Sequence, residues 1–213
     1  MGCGAKNRPI ASNQISVKLA TLYALTLCFF ALLILLNFNT YTIILALGSM
    51  PLAFTYPLMK RFTYWPQLFL GITFNYGLIL GWTAIKGQID IVTIIFYLGA
   101  IFWTLGYDTI YGFQDIKDDE IIGLKSTSIK FKNNPHNFLY LCYSIFLLIL
   151  FTIGIVMELN KFYYLLFILI FLQIYYFQLK RLSIQNSEKC LTIFKSNNFL
   201  GLLVFLSLII GKI

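Results

Sequence analysis

Tyr107-Asp108-Thr109-Ile110-Tyr111-Gly112-Phe113-Gln114-Asp115-Ile116-Lys117-Asp118-Asp119 closes an apolar run that opens at Ile91. The uncharged part, Ile91–Tyr107, is long enough to cross a bilayer: a helix needs roughly 20 mostly apolar residues, and about 17 suffice. Carboxylates are costly at the mouth of such a helix, so four of them read as a site and not as a structural accident.

Further uncharged runs lie on either side: Leu19–Leu36, Tyr41–Met59, Phe62–Ile85, Asn137–Met157, Phe162–Leu179 and Ser196–Gly211. With Ile91–Tyr107 they make seven spans, the last being the shortest. The chain is 59% hydrophobic and 11% charged, a balance foreign to soluble domains. Backbone polar groups in lipid must be satisfied inside their own segment, so the spans are helices. The expected fold is all-α and integral to the membrane, a bundle of about seven transmembrane helices forming one domain over 1–213. Gly71, Gly77, Gly81 and the Gly99-Ala100 pair are expected to let helices approach closely.

If each run crosses once, alternate loops share a side. One side then carries Lys6, Arg8, Lys18, Lys60, Arg61, Lys117, Lys125, Lys130, Lys132, Lys180, Arg181, Lys189 and Lys195, and the other only Lys86, Lys161 and Lys212. Basic loops stay cytoplasmic, which puts the Asp-rich segment on the cytoplasmic side. The net charge of +8 thus reflects topology and anionic lipid headgroups. It makes no case for nucleic acid, because the charges are dispersed over loops. Cys3, Cys28, Cys142 and Cys190 form no paired motif and read as free thiols.

On one continuous helix, Asp115 and Asp119 stand seven and eleven residues after Asp108 and share its arc, at about 100° per residue. Asp118 stands beside them. Like charges at this spacing repel, and a divalent cation removes the penalty. Oxygen-only ligands favour Mg²⁺ over Zn²⁺. Mg²⁺ takes one or two carboxylates and completes its shell with water and phosphate, which suits a diphosphate whose tail lies in lipid. Lys60-Arg61 and Lys125 lie on the same side and are candidates for diphosphate oxygens. The bland readings are a solvated acidic loop and basic anchoring of the cytoplasmic face.

The pattern Tyr107-Asp108-Thr109-x-Tyr111-x-x-x-Asp115-x-x-Asp118-Asp119 resembles the second aspartate-rich motif of the UbiA superfamily of membrane prenyltransferases. The continuation Ile122-Gly123-Leu124-Lys125-Ser126-Thr127-Ser128 is similar too, as are Tyr56-Pro57-Leu58-Met59-Lys60-Arg61-Phe62-Thr63 and Asn7-Arg8-Pro9-Ile10-Ala11-Ser12. The resemblance covers essentially the whole chain, in order, and is strongest to the branch that prenylates 4-hydroxybenzoate in ubiquinone synthesis.

The resemblance implies a nine-helix all-α membrane bundle, of which these seven spans are a remnant, with a central cavity that binds Mg²⁺ on a polyprenyl diphosphate. It implies ionisation of the allylic C–O bond and attack by a ring carbon of the aromatic acceptor. By the same resemblance Asp115 and Asp119 are the principal metal or diphosphate ligands, with Asp108 and Asp118 in support. Arg8, Lys60, Arg61 and Lys125 take the diphosphate. Tyr56, Tyr107 and Tyr111 line the cavity, where aromatic faces can steady an allylic cation. The implied location is the bacterial cytoplasmic (inner) membrane.

By the resemblance, the family's first aspartate-rich motif and two helices before it precede the Arg-Pro-Ile segment, and here only Met1–Asn7 stand before Arg8. The 213-residue chain is therefore expected to turn over little by itself. The alternatives are an inactive remnant and a non-enzymatic polytopic membrane protein such as a transporter. The inverted repeats and broken midplane helices of transporters are not visible in the sequence.

Overall fold

The computed structural model describes residues 9–213, and helices are the regular structure of that range, joined by turns and short loops. Seven stretches are long and apolar enough to cross a membrane: Val17–Leu35, Thr40–Phe62, Pro66–Lys86, Ile91–Gly112, Pro135–Val156, Lys161–Leu179 and Ser187–Lys212. They are built from α1 (Val17–Leu35), α2 (Thr40–Thr55), a 3₁₀ turn (Tyr56–Leu58), α3 (Met59–Phe62), α4 (Pro66–Phe74), α5 (Tyr76–Lys86) and α6 (Ile91–Gly112). Two short helices follow, α7 (Ile116–Ile122) and α8 (Thr127–Lys130). Then come α9 (Pro135–Val156), α10 (Lys161–Leu172) continued by a π-helical segment (Gln173–Leu179), and α11 (Ser187–Lys212).

Side chains of the connecting loops start these helices. Ser16 Oγ accepts from Leu19 N–H, Asn39 Oδ1 from Thr42 N–H, and Asn186 Oδ1 from Lys189 N–H. Each satisfies one of the donors that the first helical turn leaves free. The cap at Asn186 corrects the expectation for the last span. That span is the longest helix, because the charged stretch Ser187–Lys195, with Glu188, Lys189 and Lys195, is already helical before the uncharged run begins.

α6 is the central helix and packs on α9, α4 and α11, while α10 packs on α11. Leu105, Tyr143, Phe146, Leu150, Tyr163, Ile170 and Leu200 form the heart of the core. Small residues set the approach, as expected for two of the glycines. A Cβ on Gly71 would lie 3.1 Å from Ile101 O, and one on Gly99 would lie 2.7 Å from Ile149 Cγ2. Gly77 and Gly81 face open space, so the expectation of close packing fails at those two.

Polar groups inside the bundle act as joints. Asn39 Nδ2 donates to Thr83 O at 2.9 Å, and Thr42 Oγ1 to Thr83 Oγ1 at 3.1 Å, which fastens α2 to α5. Asn75 breaks the third span between α4 and α5, and its Nδ2 reaches Thr104 Oγ1 at 2.7 Å on α6. Around the π-helical segment, Tyr143 OH donates to Gln178 Oε1 at 2.6 Å, and Gln178 Nε2 donates to Asn197 Oδ1 at 3.1 Å. Trp103 Nε1 also donates to Asn197 Oδ1, at 2.9 Å, so one network joins α6, α9, the π segment and α11.

Candidate active site

The acidic segment does not continue α6. The helix ends at Gly112, and the chain turns through Phe113 and Gln114 before Asp115 caps α7. The expectation of one continuous helix from Asp108 to Asp119 is therefore corrected, and the shared arc it implied for Asp108 with Asp115 and Asp119 disappears. The physical reason is tertiary. Phe113 turns into the core. Gly112 touches α8 so closely that any Cβ there would collide with Ser128 Oγ.

α7 starts with Asp115, Asp118 and Asp119 in its cap and first turn. Carboxylates there meet the positive end of the helix dipole, which offsets part of their mutual repulsion. Asp119 N–H donates to Asp115 O at 2.9 Å, so these two remain one turn apart. They face differently: Asp115 and Asp118 are exposed, whereas Asp119 is 7% exposed. α7 stops at Gly123, whose φ of +76° a residue with a side chain adopts only under strain. There Leu124 N–H closes on Asp119 O at 2.9 Å.

The buried carboxylate is met by the second span. Lys60 Nζ lies 3.4 Å from Asp119 Oδ2, with the lysine side chain 45% exposed. Lys60 also lines a cavity of about 200 Å³ with Tyr56, Gln67 and Asp108. A single ammonium thus stands between the carboxylate of α7 and a cavity that holds the carboxylate of α6. Lys125 ties the same ends together. Its backbone N–H donates to Lys60 O at 2.8 Å, its Nζ to Phe62 O at 3.3 Å, and the ammonium stands 5.6 Å from the Tyr64 ring centre. Arg61 is exposed and has no ion pair among the described residues.

The three tyrosines separate. Tyr56 faces the Lys60 cavity. Tyr107 lines a second cavity of about 270 Å³ with Trp103, Phe194, Asn75 and Asn197. Tyr111 is exposed and leans on Phe194, ring centres 4.7 Å apart. Arg8 lies outside the described residues.

A buried hydroxyl and amide knot holds this end of the molecule, and its members received no role from the sequence. Thr109 Oγ1 and Thr127 Oγ1 are 2.6 Å apart, Ser128 Oγ donates to Thr109 O at 2.8 Å, and Thr127 N–H donates to Gln67 Oε1 at 3.0 Å. Gln67 was detectable in principle, as a polar amide within an uncharged span beside Pro66.

Among the described residues no three carboxylate, imidazole or thiol side chains gather as a metal cage. The donors are oxygen-only, and Asp115 and Asp119 sit one turn apart. Such a set fits an ion that takes most of its shell from water and phosphate, and does not fit an all-protein cage. Cys28, Cys142 and Cys190 are free thiols, and Cys3 lies outside the described residues.

Known proteins resemble the chain in sequence and in fold. It is 42% identical to human mitochondrial 4-hydroxybenzoate polyprenyltransferase over 208 residues, which is 97% of this chain and 56% of that protein. It is 38% identical to the 4-hydroxybenzoate octaprenyltransferase of Francisella tularensis subsp. novicida (strain U112), over 97% of this chain and 72% of that one. The chain spans about half the length of the human relative and about seven-tenths of the bacterial one. Among solved structures, the apo structure of a UbiA homologue from Aeropyrum pernix K1 matches with a TM-score of 0.75 at 18% identity, covering 100% of this chain and 79% of that one. A structure from work on digeranylgeranylglyceryl phosphate synthase in membranes matches at 0.70 and 19%, covering 99% of this chain and 75% of that one. The helical bundle, the order of its spans and a family profile that aligns from residue 4 to residue 209 agree: this multi-pass membrane protein belongs to the UbiA prenyltransferase family.

Proposed function

We propose that the chain transfers a polyprenyl group from a polyprenyl diphosphate to 4-hydroxybenzoate in ubiquinone biosynthesis. The observation that carries this reading is Lys60, set between buried Asp119 and the cavity that Asp108 lines. A cation flanked by carboxylates where a helix bundle meets water is the chemistry that a lipid-tailed diphosphate and its metal require. The relatives' names support the acceptor.

In this reading Asp115 and Asp119 would hold Mg²⁺, with Asp118 and Asp108 in support. When bound, the ion supplies charge neutralisation for the diphosphate. Lys60 exchanges its contact with Asp119 for diphosphate oxygens. Arg61, which has no carboxylate partner among the described residues, and Lys125 add donors on the same side, and Arg8 is a further diphosphate donor by its place in the sequence motif. As the allylic C–O bond breaks, its electron pair leaves with the diphosphate. A ring carbon ortho to the phenol oxygen supplies the new C–C bond, and loss of that carbon's proton restores the aromatic ring. The ring of Tyr56, which faces the Lys60 cavity, shields the cation from water there, while Tyr107 lines the second cavity and Tyr111 stays exposed. The acidic segment faces the cytoplasm at a bacterial inner membrane, because the basic loops lie at that end.

The test is donor binding by the 213-residue chain in liposomes. Labelled polyprenyl diphosphate is expected to be retained with Mg²⁺ and released by chelation. Asp115→Asn with Asp119→Asn should weaken retention by at least about tenfold. Retention indifferent to both chelation and the double substitution overturns the reading.

A further inference from the structure

A second basic cavity lies away from Lys60, between the π-helical segment and the start of α11. It measures about 460 Å³ and is lined by Phe177, Lys180, Arg181, Ser183, Lys189 and Thr192, among others. Three cations and no carboxylate line it. None of the three forms an ion pair among the described residues. Two rest on rings instead: Lys180 Nζ is 5.5 Å from the Tyr176 centroid and the Arg181 guanidinium 4.8 Å from that of Phe177. The nearest acid along α11, Glu188, is exposed and does not line the cavity. Its backbone carbonyl takes the Thr192 hydroxyl at 2.9 Å.

The backbone at this place is unusual as well. Lys180 N–H donates to Tyr175 O at 3.0 Å, one residue further back than in an α-helix. Such π turns cost hydrogen-bond regularity and concentrate at functional sites. Here the distortion is held from inside by the fully buried Gln178, and it delivers Lys180 and Arg181 at the end of the span. Toward lipid the same helix exposes Phe171, Leu172, Tyr175 and Tyr176. A charged hollow therefore opens beside an apolar strip.

We infer that this cavity binds the phosphate of an anionic amphiphile, and that the occupant is an anionic glycerophospholipid from the adjoining leaflet. Lys180, Arg181 and Lys189 take the phosphate oxygens, the Ser183 hydroxyl adds a donor, and the acyl chains lie along Phe171, Leu172, Tyr175 and Tyr176. The site shares no residue with the Lys60 cavity.

The test uses the full chain in nanodiscs of equal phosphatidylglycerol and phosphatidylcholine, with retained lipid counted by native mass spectrometry after detergent exchange. Phosphatidylglycerol is expected to be retained preferentially. The triple variant Lys180→Gln, Arg181→Gln, Lys189→Gln should lower that preference on the order of tenfold, while Lys18→Gln, an exposed basic residue that lines none of the cavities described above, leaves it unchanged. Equal retention of the two lipids by the unmodified chain overturns the inference, as does an equal loss in Lys18→Gln. If the triple variant unfolds, Arg181→Gln alone is measured, with about fivefold expected. Inorganic phosphate and pyrophosphate are titrated in phosphatidylcholine-only discs. Saturable binding lost in the variant retains the phosphate site but assigns it to a soluble anion and overturns the lipid assignment.

Discussion

Lys60 Nζ lies 3.4 Å from Asp119 Oδ2 although 59 residues separate them, so the end of the second span clamps the segment that follows the fourth. Because the lysine is about half exposed, solvent screens the pair, and its worth to stability is at most about 1 kcal/mol. Lys60→Met is therefore expected to shift the unfolding temperature little. It should reduce retention of polyprenyl diphosphate by about tenfold or more, since the diphosphate loses a charged donor in a partly buried setting. The comparison of thermal unfolding with donor binding checks this; a large loss of stability with intact binding contradicts it.

Gly112→Ala should destabilise the protein by about 1–3 kcal/mol, because the new methyl has no room against α8. Removing the obstructing hydroxyl with Ser128→Ala should recover part of that loss. The recovery is bounded by the lost hydrogen bond to Thr109 O and by Ser128 Cβ, which would still lie 3.2 Å from the added methyl. A double-mutant cycle on unfolding free energy reads the coupling, and strict additivity counts against the contact.

Gln178→Leu should cost about 1–2 kcal/mol, as it strands the Tyr143 hydroxyl inside the bundle. The same change removes what holds the π turn in place. Proteolysis within 180–186 should therefore accelerate, and an unchanged rate shows that the turn is held by something else.

Topology can be read by labelling. Asn133→Cys and Gln88→Cys are exposed positions at opposite ends of the bundle, introduced with Cys3 and the exposed Cys28 changed to Ser, and the native Cys142 and Cys190 are buried. A membrane-impermeant maleimide is expected to reach Gln88→Cys in intact cells and Asn133→Cys only in inverted vesicles. The reverse pattern places the acidic segment outside.

The spans were legible because hydropathy is a local property, and lipid forces any long apolar run to satisfy its own backbone as a helix. The motif around Asp108–Asp119, with Lys125-Ser126-Thr127, was legible as a family likeness, and the family profile confirms that membership. The polar start of α11 escaped notice because helix length there depends on the Asn186 cap and not on hydropathy.

The sequence by itself determined that seven stretches among the described residues are long and apolar enough to cross a membrane, which end collects the basic residues, and to which family the chain belongs. The tertiary structure alone decided that α6 stops at Gly112, that Asp119 turns inward while Asp115 and Asp118 stay in solvent, and that the sixth span ends in a π-helical segment tied by Gln178 to α9 and α11. The reason is the range of the interactions. Apolar length is counted residue by residue, whereas the end of α6 and the direction of Asp119 are set by partners such as Ser128 and Lys60 that only folding brings near.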